Sequence, residues 1–100
     1  MANNYFQVSV NSNTVSSNLS SLGVAVPFWA TQMLVIIETS GGAVRYRTDD
    51  QPATSNIGFP ISNYGGAPWP IEGRSLANTQ FISTGANVNV SLEFRRSLNI

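Results

Sequence analysis

The first candidates for chemistry are two adjacent carboxylates, Asp49 and Asp50. Neighbouring side chains in an extended segment point to opposite sides, whereas a general acid and a general base must converge on one bond of a substrate. Aspartate ahead of Gln51-Pro52 is typical of a turn, because its side chain accepts backbone N–H groups. Carboxylates also suit calcium, but the other acids are scattered along the chain. We therefore predict a turn, with no catalytic or metal site.

Three reactive residue types are missing from the sequence. There is no cysteine, histidine or lysine, and the five basic residues are all arginine. This composition excludes Ser-His and Cys-His nucleophile pairs, thiolate metal ligands, and the lysine of a phosphate-binding loop or a Schiff base. We therefore expect a protein that is not an enzyme and that needs no cofactor.

Four of the arginines are candidates for contact with a partner. Arg45 and Arg47 alternate along one predicted strand and so share a face, and Arg95 and Arg96 lie near the end of the sequence. They are either solvated residues with local carboxylates such as Asp49, or members of ion pairs between subunits, where arginine is enriched. Five acids balance the five arginines, so we expect no direct binding to nucleic acid.

Exposed aromatic residues are the second group of candidates. Trp29, Tyr64 and Trp69 lie in or beside predicted loops. Such rings can cap the core, contact another protein or stack on a sugar. Phe59 is a further candidate for contact, and so is the Asn3–Phe6 segment if it does not pair within the chain. The complete set of predicted interface side chains is Trp29, Arg45, Arg47, Phe59, Tyr64, Trp69, Arg95 and Arg96.

Alternation of apolar and polar residues predicts the strands that position these side chains. The alternation is strictest at Val88–Phe94, and it also predicts strands at Tyr5–Val10 and Thr79–Ser83. Gln32–Glu38 is almost continuously apolar, which is typical of a central strand buried on both faces. A short Gly-Gly connection joins it to the alternating Ala43–Thr48 segment, which predicts a β-hairpin.

The remaining segments are shorter or interrupted. We predict an edge strand or a loop at Thr14–Leu22, an edge strand or an irregular stretch at Gly23–Trp29, where Pro27 interrupts the pattern, and a short strand at Ile57–Ile61. Ser62–Gly73 has the composition of a loop, and Arg95–Ile100 that of a short tail. Seven or eight short strands without a helical period predict one all-β domain over residues 1–100, an antiparallel sandwich or a small barrel.

The sequence also has no feature that predicts membrane association. The N-terminal residues lack the charged and apolar regions of a signal peptide, and the longest apolar run, Met33–Ile37, is far shorter than a membrane span.

Two parts of the sequence resemble a group of small virion structural proteins of tailed bacteriophages. Residues 44–61 contain VRYRTDD, PAT and GFPI, and residues 80–92 contain QFI and ANVNVS. In that group an R-(Y/W)-R-x-D strand leads to a P-T-x-x-G-x-P-L segment, and a (R/Q)-F-I strand precedes an A-x-(L/V)-N-V-(S/T) strand. The sequence departs from the group at Ser62–Ser75, which contains Ala-Pro-Trp-Pro.

The resemblance implies a β-sandwich on a capsid or tail, and we expect one of jelly-roll type. The leading hypothesis is a capsid cement or decoration protein, made in the host cytoplasm and placed on the capsid surface. Its expected partners are the major capsid protein and its own copies, with a trimer as the first expectation. The alternatives are a carbohydrate- or receptor-binding module of a tail or fibre, and a tail-tube or adaptor component.

Overall fold

The computed structural model describes residues 4–11, 14–54, 56–73, 76–85 and 87–96. It contains eight strands and one 3-10 turn at Leu76–Asn78, and no α-helix occurs within these ranges. The strands are β1 Tyr5–Val10, β2 Ser17–Asn18, β3 Gln32–Ile37, β4 Val44–Arg47, β5 Phe59–Ile61, β6 Trp69–Glu72, β7 Gln80–Ser83 and β8 Val88–Arg95.

The strands form two antiparallel sheets with jelly-roll connectivity. The first sheet has the order β1-β8-β3-β6 and the second has the order β2-β7-β4-β5. Every recorded strand pair is antiparallel. The predicted all-β sandwich of seven to eight short strands is therefore confirmed, and the small barrel is not formed.

The core lies between the two sheets and follows the alternation of the strands. On β8, Val88, Val90, Leu92 and Phe94 are all buried, and they are joined by alternate residues of β3 and of the second sheet. Burial of an apolar side chain of this size contributes roughly 1.5–3 kcal/mol. This pattern confirms the two strands with the clearest alternation, β1 and β8.

No helix in the described part of the chain is both long and apolar enough to cross a bilayer.

The prediction that β3 is buried on both faces is wrong. Met33, Val35 and Ile37 are buried, but Leu34 and Ile36 are only half-buried. β3 is an inner strand of its sheet, yet its second face points away from the sandwich, where no further layer is recorded over it among the described residues. The outward-facing residues of β3 are also apolar, so its sequence has the continuous apolar pattern of a strand that is buried on both faces.

The predicted hairpin between β3 and β4 is also wrong. β3 belongs to the first sheet and β4 to the second. The connection turns at Thr39, whose carbonyl accepts the N–H of Gly42 at 2.9 Å, and then crosses from one sheet to the other. β3 pairs with β6 and β8, and β4 pairs with β5 and β7, so the two strands share no ladder.

The segment Ser62–Gly73, predicted as a loop, contains the strand β6 at Trp69–Glu72. Pro70 removes a backbone donor, which excludes proline from central strands but not from the outer side of an edge strand. β6 is such an edge. The strand expected at Ile57–Ile61 is shorter than predicted and begins at Phe59.

The remaining expectations agree with the structure in the main. Thr14–Leu22 contributes the two-residue edge strand β2, Gly23–Trp29 is irregular, and β7 lies inside the predicted Thr79–Ser83. Arg95 belongs to β8 rather than to a tail. Asn3 and Ala86, and residues 97–100 of the expected tail, lie outside the described residues.

Candidate protein-interaction surface

A hydrogen bond between the two sheets organises one side of the sandwich. The indole Nε1 of Trp69 on β6 donates to the hydroxyl of Tyr46 on β4 at 3.0 Å. Trp69 pairs with the inward-facing Val35, so its ring starts on the inner side of the first sheet and reaches the second. The bond satisfies the polar ends of both side chains, and the Trp69 side chain stays 40% exposed.

Phe59 extends this aromatic group onto the edge of the second sheet. It pairs with Tyr46 in the β4–β5 ladder, and the two ring centroids are 5.7 Å apart with an interplanar angle of 37°. Tyr46 is buried, and its ring also lies 6.3 Å from that of Phe81 in the core. Phe59 is 65% exposed. Its ring packs against that of Tyr46, and the exposed part of the ring is accessible to a partner.

The connection between β5 and β6 carries a third exposed ring, that of Tyr64, and is fixed by Asn63. The Asn63 amide continues the β3 edge beyond the end of β6: its Oδ1 accepts the N–H of Ile37 at 3.0 Å and its Nδ2 donates to the carbonyl of Val35 at 3.0 Å. Nδ2 also donates to the carbonyl of Ala67 at 2.9 Å. We call Phe59, Tyr64 and Trp69, which lie on β5, on this connection and on β6, the aromatic edge.

Trp29 does not belong to the aromatic edge. It is half-buried and packs against the core, as in the first of the three interpretations of the aromatic residues. Its neighbour Phe28 is fully exposed at the tip of a turn closed by the 3.0 Å bond from the N–H of Ala30 to the carbonyl of Pro27. The alternation of Val24, Val26 and Phe28 concealed this exposure, and Pro27 directly before it was the available sequence signal of a turn.

Arg45 and Arg47 both bond within the chain. Nη1 of Arg45 donates to the carbonyl of Gly58 at 2.7 Å and so holds the end of the β4–β5 connection against β4. Nε of Arg47 donates to Oδ1 of Asp49 at 3.0 Å, and the guanidinium Nη2 bonds Oδ2 of the same carboxylate. The bidentate hydrogen bond from Arg47 holds the pKa of Asp49 below its usual value. The local carboxylate considered from the sequence is therefore present.

Arg95 and Arg96 lie on another part of the surface. Nε of Arg95 donates to Oε1 of Glu93 at 2.6 Å, and the arginine side chain is 59% exposed. The carbonyl of Arg95 accepts the N–H of Thr31 at 3.0 Å. Because Thr31 is two residues after Trp29, this end of β8 lies beside the segment that contains Trp29. β3 separates β8 from β6, so these arginines do not join the aromatic edge.

The outward face of the first sheet carries a shallow apolar groove of about 190 Å³. Its walls include Tyr5 and Pro68, and the half-buried side chains of Leu34 and Ile36 lie between them. The hydroxyl of Tyr5 lies 2.9 Å from Oγ of Ser91, so the ring lies across β8. This groove could not be predicted from the sequence, because the continuous apolar run of β3 predicts burial of both its faces.

The eight predicted interface side chains therefore separate into groups. The aromatic edge unites Phe59 and Trp69 through Tyr46, and Tyr64 lies on the connection between their strands. Arg45 and Arg47 lie on the outer face of β4, and Trp29 packs against the core. Arg95 and Arg96 lie at the end of β8. Within the described ranges, no three of the His, Cys, Asp and Glu side chains approach as a metal site requires. The arrangement is suited to contact with a surface.

Comparison with known proteins gives no relative for this chain: no family model, no curated protein and no solved structure matches it.

Proposed function

We propose that the chain is a virion structural protein of a tailed bacteriophage, a capsid cement or decoration protein that binds the major capsid protein through its aromatic edge. The observation that carries the proposal is the exposure of Phe59 and Trp69 around the buried Tyr46. Aromatic side chains on a rigid support are the commonest energetic centres of protein interfaces. The protein acts by contact, without catalysis, cofactor, nucleic acid or membrane.

The motifs of the phage resemblance support the proposal, because in this fold they form one structural unit. Arg47 and Asp49 of the R-Y-R-x-D strand bond each other, and Arg45 bonds Gly58 of the segment that follows. The strand β5 then presents Phe59 beside Tyr46. The motif residues thus fix the strand and connection that carry Phe59, one of the three residues of the aromatic edge.

The mechanism is burial of surface at many equivalent places on a lattice. A specific interface of standard size buries roughly 1,600 Å² in total. Several copies on one capsid convert modest individual affinities into durable attachment. The absence of net charge suits this arrangement, since neighbouring copies do not repel one another. Jelly rolls occur in viral capsid proteins and in lectins, so the fold is compatible with the proposal but does not select it.

The test is addition of the purified protein to phage heads assembled without it, with measurement of occupancy and of the rupture temperature. We expect the wild-type chain to bind and to raise the rupture temperature. The double variant Phe59→Ala, Trp69→Ala should bind at least about tenfold more weakly. Phe28→Ala is the control, since it removes an even more exposed ring elsewhere and should bind normally. Unchanged rupture temperature, or location of the labelled protein on the tail, would overturn the proposal.

The second candidate function is carbohydrate or receptor binding on a tail or fibre. The exposed ring of Trp69, held in place by its bond to Tyr46, is the observation that favours it, because a fixed indole can stack on a sugar face. A glycan array probed with wild type and with Trp69→Ala separates the candidates. Binding to a glycan that is lost in the variant favours this function, and no binding to any glycan removes it.

A further inference from the structure

The four edge strands of the sandwich differ in how well they are protected against pairing with another chain. Pro60 interrupts β5 and Pro70 interrupts β6, while β2 is only two residues long. β1 has six residues, YFQVSV, without proline or charge. Proteins usually block edge strands with proline, charge or short length. β1 is the one edge of the described sheets that has none of these features.

The hydrogen-bonding direction of β1 follows from its pairing with β8. The N–H of Phe94 donates to the carbonyl of Asn4 at 2.7 Å, which makes these two residues a hydrogen-bonded pair. Such pairs recur at every second residue of an antiparallel ladder. Phe6, Val8 and Val10 therefore bond β8. The N–H and C=O groups of Tyr5, Gln7 and Ser9 point to the opposite side, where the described residues provide no strand.

We propose that β1 pairs with β1 of a second copy of this chain, antiparallel, with the twofold axis at Gln7. In this register Gln7 faces Gln7 of the second copy, and Tyr5 faces Ser9. These pairs exchange about six main-chain hydrogen bonds and use all the outward groups of the three residues. Phe6 and Val8 then oppose each other across the new ladder in the positions where side chains approach most closely.

Several observations identify the second copy as the occupant rather than an unrelated strand. In the antiparallel register centred on Gln7, the outward N–H and C=O groups of Tyr5, Gln7 and Ser9 pair with those of the same three residues in the second copy. An isologous twofold contact requires this self-complementarity. Phe6 and Val8 are only half-buried, so pairing with a second copy buries more of both side chains. Neither β1 nor the chain as a whole carries a net charge that opposes association.

The dimer specifies the homo-oligomer that is part of the proposed function, but its formation does not require the capsid. It replaces the expected trimer with a dimer, because an isologous edge contact closes on itself with two copies. One strand pair buries less than a standard interface, so we expect a weak dimer with a Kd on the order of 100 µM.

The first experiment is sedimentation equilibrium of the wild-type chain and of Gln7→Lys and Gln7→Glu. Each variant places two like charges opposite each other at the axis and should weaken the dimer by about two- to fivefold. An equimolar mixture of the two variants should restore association as a heterodimer. Asn89→Lys is the matched control: it adds the same charge to the exposed position beside Ser9 on β8, away from the new edge, and should dimerise normally.

The second experiment is amide hydrogen exchange as a function of protein concentration. The N–H groups of Tyr5, Gln7 and Ser9 should become protected as the dimer forms, whereas those of Phe6, Val8 and Val10 should be protected throughout. A monomer at all concentrations, a trimer, or a dimer that both charged variants leave intact would overturn the proposal. If the chain dimerises in this way but does not bind heads, this inference stands and the capsid function is excluded. If the chain binds heads but does not dimerise, the capsid function stands and this inference is excluded.

Discussion

Trp69 and Tyr46 lie on different sheets, and the 3.0 Å hydrogen bond from the indole to the phenol joins them. Trp69 is on the outermost strand of the first sheet, and Tyr46 is on an inner strand of the second. The bond therefore closes the side of the sandwich at which Phe59 is also exposed. Stability and the proposed binding surface depend on the same aromatic group.

Removal of either partner of this bond should destabilise the fold. We expect Tyr46→Phe to lower the free energy of unfolding by about 1 kcal/mol, because the indole N–H then lacks its acceptor. Trp69→Phe should cost at least as much, and the double variant should cost less than the sum of the two. Urea denaturation measures all three values. Tyr64→Phe is the control and should leave stability unchanged. Strict additivity of the two single changes would contradict the coupling.

The amide of Asn63 should also be important for stability. Asn63→Ala leaves the N–H of Ile37 and the carbonyl of Val35 without this partner, so we expect a loss of about 2 kcal/mol in unfolding free energy. Asn56→Ala, at an exposed position in the β4–β5 connection, should change stability by less than about 0.5 kcal/mol. Chemical denaturation of the two variants gives the comparison, and equal stability of both would contradict the edge-continuing role of Asn63.

Two glycines should respond differently to the same substitution. Gly58 has a φ of 127°, and a Cβ added there would lie 3.0 Å from the carbonyl oxygen of Tyr46. We expect Gly58→Ala to cost about 2 kcal/mol through backbone strain and this contact. No atom lies within 4 Å of a Cβ at Gly85, so Gly85→Ala should be nearly neutral. Thermal unfolding of both variants is the measurement, and a neutral Gly58→Ala would show that the connection moves freely away from β4.

The ion pair of Arg47 with Asp49 should make stability depend on pH in the acid range. The hydrogen bond from Arg47 lowers the pKa of Asp49 in the folded chain, so this contribution is fully present above the unfolded pKa of about 3.9. It is lost as the pH falls through the lower folded pKa. The difference in unfolding temperature between wild type and Asp49→Asn should therefore be constant near neutrality and shrink in acid. A difference that grows in acid would contradict this assignment.

The strands were predictable where alternation alone decides the structure. Val88–Phe94 alternates strictly and forms all of β8 except its last residue, Arg95, and its apolar face is buried along its length. β6 was missed because the penalty for proline depends on whether a strand is central or at an edge, and sequence spacing does not contain this information. The hairpin of β3 and β4 failed for a related reason: a short glycine connection can cross between sheets as well as return within one.

The candidate site was predictable as a set of residue types but not as an arrangement. Tyr64 and Trp69 were selected because they lie in or beside predicted loops, and Phe59 was added as a further candidate for contact. All three have substantial exposure. Their relation to Tyr46 depends on how two sheets pack, since β4 and β6 do not share a ladder. The complete exposure of Phe28 depends on the buried Pro27 before it, which the alternating pattern concealed.

The pairing of β1 with β8 also determines the order of events during folding. Tyr5 and Ser91, whose side chains are in contact across this ladder, are 86 positions apart along the polypeptide. The first sheet therefore cannot be completed until nearly the whole domain has been synthesised. Topologies dominated by such distant pairings fold slowly, on the order of milliseconds to seconds. During that interval β1 lacks its partner strand, and an unpaired strand edge of this kind is prone to aggregation.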